Sequence, residues 1–218
     1  YGASYSNSVN FNKIEEVTLT GLRLIVNNFE KVLINGNDLK IRELIGLGTD
    51  LGGYAIMLGG TNGAHLTSLS LVDILSHGRA CGIMNPYYTV FFASAIRKQL
   101  EKLIYIFSGF LDKSEKNKLL FKNLKDLSNR RLGEVVAGAM LNFLKKANLP
   151  LKLEDVSGFS ENHIKKAIKA AKNPQLEMKL KNMPVSLNLQ NVEHYMLPLL
   201  KAAQIGDFSL IKSIDKKN

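Results

Sequence analysis

Apolar side chains recur along this chain every three or four residues, and sustained alternation at every second residue is scarce. A period of about 3.6 residues stacks side chains on one stripe of a helix, whereas a half-buried strand needs a period of two. The pattern therefore points to an all-α fold. Over residues 11–33, Ile14, Val17, Leu22, Ile25, Val26, Phe29 and Val32 share one stripe. Asn35-Gly36-Asn37-Asp38 reads as a turn with Asp38 as N-cap, so a second helix is predicted over 39–58. It is expected to bury Ile41, Leu44, Ile45, Leu47, Leu51 and Tyr54. Gly59-Gly60-Thr61-Asn62-Gly63 breaks it, and 64–75 reads as a short buried helix.

Further helices are predicted over 79–93, with a kink or restart near Asn85 caused by Pro86, and over 95–111, with Ile96, Leu100, Leu103, Ile104 and Phe107 inward. Residues 113–118 read as a polar connection. The stretch 129–148 is a helix with Leu132, Val135, Val136, Ala139, Met140, Phe143 and Leu144 on its core face. Ser160 opens a helix to about Lys172, which Asn173-Pro174 ends, and 191–204 forms the last helix with Pro198 inside. With no internal repeat and no dividing linker, residues 1–218 are expected to form one all-helical domain. Its roughly eight or nine helices would make a bundle or an irregular array.

The chain has 218 residues, enough apolar surface for a core. Its apolar stretches are broken well before the about 18 residues that a membrane span needs. The polar residues 1–12 lack the apolar run of a secretory signal. One cysteine, Cys81, cannot form an internal disulfide, which fits a reducing compartment, and a cytoplasmic location is expected. The first residue is not Met, so the chain is expected either to start inside a larger protein or to follow processing. With 29 Lys+Arg against 19 Asp+Glu, the net charge is +10, which raises nucleic acid as a partner. The lysine pairs at 145–146, 165–166 and 216–217 are interspersed with Glu101, Glu115, Glu134, Glu154 and Glu161, and no aromatic cluster accompanies them. A solvated surface is the preferred reading. A basic module that binds nucleic acid or a protein partner is the alternative.

Gly46-Leu47-Gly48-Thr49-Asp50-Leu51-Gly52-Gly53 loosely resembles a phosphate-binding loop, but a dinucleotide fingerprint needs a preceding strand, and the preceding segment is helical by pattern. Small residues at this spacing more simply let two helices approach closely. Residues 59–88 are richer, because they hold two of four histidines, His65 and His77, each at the N-terminal edge of a predicted helix. The positive end of the helix dipole disfavours imidazolium there, and neutral imidazole is the form that binds a metal. A hydrogen-bonded core histidine explains the same pattern. His163 is expected to be exposed after Ser160, and His194 to lie on the surface beside Glu193 and Tyr195. Cys81 is read as a buried, inert thiol, and Tyr87-Tyr88 as core rings with hydroxyls reaching partners.

The order Ala64-His65, His77-Gly78, Ala80, Pro86 resembles the metal-binding stretch of the iron-containing (group III) alcohol dehydrogenases. Residues 11–58 resemble the paired helices before that stretch. Asn173-Pro174 and residues 183–212 resemble the closing helices. The resemblance implies a dehydroquinate synthase-like C-terminal helical domain, with the N-terminal nucleotide-binding domain absent. It implies Fe2+ or Zn2+, NAD or NADP bound through the absent domain, and a small alcohol, aldehyde or ketone as substrate. His65 and His77 match the last two of the family's metal ligands. The aspartate and first histidine would fall upstream of residue 1. Ser76, Asp73 and local carbonyls are candidates to hold the second imidazole nitrogens, and Thr61 and Asn62 to line the pocket. The spacing from His65 to His77 is short for the family, and Leu69 stands where many members carry another histidine. The fragment alone is expected to be inactive, and a homo-oligomer is possible. A zinc lyase relative with the same two-domain plan fits the Ala-His and His-Gly elements less well.

Overall fold

The computed structural model describes residues 9–61, 63–121 and 124–214. Expectations placed on residues 1–4, Asn62 and the pair Lys216 and Lys217 lie outside the described residues. Ten α-helices and no strand occur among them: α1 (Phe11–Ile34), α2 (Leu39–Gly59), α3 (Ala64–Ser68), α4 (His77–Phe92), α5 (Arg97–Ile106), α6 (Lys113–Phe121), α7 (Asn129–Lys146), α8 (Glu161–Ala171), α9 (Glu177–Lys181) and α10 (Val192–Ile205).

Helices α1 and α2 form a hairpin. The Asp38 carboxylate accepts the Ile41 N–H at 3.1 Å and so opens α2 as the sequence predicts. The two helices meet at glycines. A Cβ on Gly48 would lie 2.8 Å from Ile25 Cγ1 and 3.0 Å from the Gly21 carbonyl. Only Gly48 of the glycine-rich stretch has this role, because Gly46, Gly52 and Gly53 have open space around them. The expected buried face of α2 needs correction. Gly48 is its one buried residue, while Leu47 is 51% and Tyr54 41% exposed. A seam this tight covers a narrow stripe of α2, and α1 is its main neighbour.

Helix α4 is the centre of the array, packed by α3, α7 and α10. Tyr87, Phe91, Ile83 and Met84 on α4 are fully buried, as are Leu100 of α5, Leu132 of α7 and Met196 of α10. Gly133 of α7 meets α4 so closely that a Cβ there would come within 2.6 Å of the Ala93 Cβ. The predicted inward faces of α5 and α7 hold, with Met140 and Phe143 half-buried. Helix α4 starts two residues earlier than predicted, at His77, and runs on through Pro86 without the expected restart.

Four elements differ from the expectation for physical reasons. Helix α3 stops at Ser68, and residues 69–75 continue as turns, because the Ser68 hydroxyl donates to the His65 carbonyl at 2.7 Å and competes with the helical ladder. The polar connection at 113–118 is helical. Helix α6 has no apolar stripe to reveal it, and Glu115 pairs with Arg131 of α7 at 2.6 Å. Helix α9 is too short for a periodic signal. The predicted 95–111 helix ends at Ile106 and continues as a 3-10 turn, Ser108–Phe110.

Candidate metal centre

Two glycines at positive φ, Gly60 (74°) and Gly63 (50°), carry the chain from α2 into α3, a conformation that side-chain-bearing residues rarely adopt. Gly63 also lies against α4, where an added Cβ would be 3.1 Å from Tyr88 Cδ1. Ala64, Leu66 and Thr67 are buried against that helix, and the Thr67 hydroxyl pairs with the Tyr88 hydroxyl at 2.8 Å. These contacts fix the first turn of α3 beside the first turn of α4. His65 and His77 consequently face each other edge to face, with ring centroids 4.4 Å apart.

A third side chain joins them. Cys81, one turn after His77 on α4, has its Sγ 3.7 Å from His77 Nε2. The donor atoms of His65, His77 and Cys81 all lie within 4.8 Å of one another. Cys81 is half-buried rather than fully buried. The sequence signal for it was the four-residue step from His77, which places both side chains on one helix face.

Ser68 sets the protons. Its one hydroxyl proton goes to the His65 carbonyl, so its 3.0 Å contact with His77 Nδ1 requires that nitrogen to be the donor. His77 Nε2 is then left with a lone pair facing Cys81. Burial holds the His65 imidazole below its ordinary value, and electrostatic repulsion of its charged form by His77 and Lys179 adds to the shift. His65 is therefore neutral at physiological pH. Burial pushes the Cys81 thiol up.

His65 and Cys81 open onto a cleft of about 340 Å³ whose walls include Thr61, Ile56, Asn85, Tyr88, Phe92 and Met140. The wall is mostly apolar, with the donor cluster among its few polar groups. Burial pushes both tyrosines up, Tyr87 to about 12 with help from Asp155, and their hydroxyls are engaged as expected. Tyr87 donates to the Leu151 carbonyl at 2.9 Å.

The expected partners of the imidazoles need correction. Neither Ser76 nor Asp73 holds His77. Ser76 sits in extended geometry at the N-cap of α4, and Asp73 reaches away to α8. There it accepts from His163 Nε2 at 3.3 Å and from Lys166 at 3.1 Å. His163 is likewise not exposed. It is 6% accessible, its Nδ1 accepts the Ser160 N–H at 3.1 Å, and its ring stacks on Phe159. His194 is exposed, as expected, beside Lys212. Leu69 is exposed on the turn after α3.

No protein-family profile matches the chain, and no curated protein matches it in sequence. Among solved structures, it is similar to an alcohol dehydrogenase from Oenococcus oeni, with a TM-score of 0.71 and 18% identity over 92% of this chain and 48% of that one. It is also similar to a 1,3-propanediol oxidoreductase, with a TM-score of 0.65 and 19% identity over 91% of this chain and 47% of the other. The chain thus spans about half the length of these structures. At such identities the likeness establishes the helical fold, and the chemistry must be argued from the residues.

Proposed function

We propose that residues 1–218 form the substrate-side, metal-holding helical domain of an NAD(P)-dependent oxidoreductase of the iron-containing alcohol dehydrogenase type. The observation that carries this reading is the meeting of His65, which lines an apolar cleft, with His77, on a fold shared with alcohol-oxidising enzymes. The donor chemistry fits a divalent transition metal, since neutral imidazole is a ligand for iron and zinc alike. His65 and His77 would hold it. When bound, the ion supplies Lewis acidity toward an alcohol or carbonyl oxygen.

The remaining roles belong to this chain's own side chains. The depressed basicity of His65 keeps its lone pair available at neutral pH. Ser68 holds the proton of His77 on Nδ1 and so fixes the ring's orientation. Phe92, Ile56 and Tyr88 give the cleft an apolar wall against which a small apolar substrate body can lie. Asn85 and Thr61 offer polar groups in the lining that can orient a small alcohol, aldehyde or ketone. Hydride would pass to or from NAD or NADP held by a nucleotide-binding domain outside these residues.

The basic surplus gives less support to the nucleic-acid alternative. Lys102 pairs with Glu15, Lys146 with Glu30, Lys166 with Asp73, Lys172 with Glu193 and Lys201 with Glu161, so acidic groups interrupt the lysines across several helices.

The test is metal content by elemental analysis of the full-length natural protein, purified without oxygen, together with NAD(P)H-dependent reduction of short aldehydes and ketones. Stoichiometric iron or zinc is expected, lost in both His65→Ala and His77→Ala. A Ser68→Ala variant should weaken binding about 10–100-fold, as loss of an outer-shell partner generally does. Metal absent from the wild type, or unchanged in both histidine variants, refutes the reading.

A further inference from the structure

The histidine pair has an unused neighbour with the chemistry of a ligand. From the position of its Sγ, 3.7 Å from His77 Nε2 and within 4.8 Å of the His65 donor, we propose that Cys81 is the third protein ligand, giving a two-nitrogen, one-sulfur site for a thiophilic divalent ion such as zinc. The proposal rests on the metal-holding reading above and sharpens it, because it names both the donor set and the class of ion.

The separation is the one a shared ion requires. Sulfur at about 2.3 Å and imidazole nitrogen at about 2.0–2.1 Å from one tetrahedral zinc lie about 3.6 Å apart. The 3.7 Å contact between His77 and Cys81 matches that separation, and the His65 donor lies within 4.8 Å of both. The lone pair is also aimed correctly, since Ser68 holds the Nδ1 proton and leaves Nε2 for the ion. Both donors sit on the first two turns of α4, the helix whose later turns form the centre of the core.

Without an ion, the protonated thiol faces a basic nitrogen and the pair forms a weak S–H···N contact. On binding, the S–H bond breaks, a sulfur–metal bond forms and the proton leaves to solvent, so uptake releases one proton at this residue. The thiolate, a soft donor, biases the site toward zinc and away from harder ions. His65 and Cys81 both line the cleft, so an ion held by three side chains keeps a position open to it. Three protein ligands with one open position is the arrangement of catalytic rather than structural zinc.

Cys81 is the one cysteine of the sequence, which makes the experiment unambiguous. The 218-residue chain is titrated with Co2+ under a phosphine reductant that contributes no thiol of its own. A sulfur-to-cobalt charge-transfer band in the near ultraviolet is expected, with the intense visible bands of four-coordinate cobalt. In Cys81→Ser the charge-transfer band should vanish and zinc affinity should fall more than about 10-fold, the least that loss of even an outer partner costs. A second measurement needs no substitution: saturating Zn2+ should protect Cys81 from alkylation by iodoacetamide. Cobalt bound without the sulfur band, with unchanged affinity in Cys81→Ser, overturns the proposal and leaves the histidine pair standing. An unaltered alkylation rate under saturating zinc overturns it equally. Failure of the wild-type chain to bind Co2+ or Zn2+ sinks this proposal and counts against the metal-holding reading as well.

Discussion

His65 resists protonation because burial first, and then electrostatic repulsion by His77 and Lys179, penalise its charged form, and this has a consequence for the metal-free protein. Its folded-state pKa lies below the ordinary value of 6.5, so as pH falls past that value the unfolded chain takes up a proton that the folded chain refuses. Stability is therefore unaffected above the ordinary value and is lost as pH falls below it toward the lowered one. Unfolding curves for wild type and His65→Gln across that window should show the steeper loss in the wild type. Identical slopes would count against this protonation difference. At this scale the sequence was partly legible. The positions of His65 and His77 at helix starts were readable, because capping and glycine signals are local. The partners were not, because Ser68 meets His77, and Asp73 meets His163, only through tertiary packing. Asp73 goes to α8 rather than to the metal cluster for a reason no spacing carries: the turns after α3 aim it there.

Among the elements, the long amphipathic helices were the most legible, since each carries a stripe that must be covered. Helices α6 and α9 escaped because one lacks a stripe and the other lacks length. Helix α2 shows the opposite failure: an apolar sequence was read as a buried face, although its tight seam against α1 covers only a narrow strip. That seam makes a sharp prediction. Gly48→Ala forces a methyl to within 2.8 Å of Ile25 Cγ1 and 3.0 Å of the Gly21 carbonyl, one a movable side chain and the other backbone. It should destabilise by about 1–3 kcal/mol, as overpacking does. Gly52→Ala, four residues along the same helix but with open space around it, should be neutral or stabilise by up to about 1 kcal/mol. Denaturant midpoints of the two variants provide the comparison, and a shared sign would show that the glycines are not distinguished by packing.

In the whole molecule, burial falls off outward from α4. The fully buried side chains of α4, α5, α7 and α10 belong to one continuous core, whereas α2 has a single buried residue. Opening free energy follows buried contacts, so hydrogen exchange should be slowest in the amides of α4 and α7 and fastest, among the long helices, in α2. Mass-resolved exchange on the intact chain would show this order, and equal protection of α2 and α7 would contradict it. The arrangement around α4 also bears on how this protein can change over time. Every donor of the candidate centre, the hydroxyl that orients one of them and the rings that anchor them lie on one short helix–turn–helix stretch, from Gly63 to Phe92. Such a stretch behaves as a cassette. Its chemistry can be altered, erased or transplanted onto another helical scaffold by rewriting a single contiguous segment, while α7 and α10 need only keep their shape.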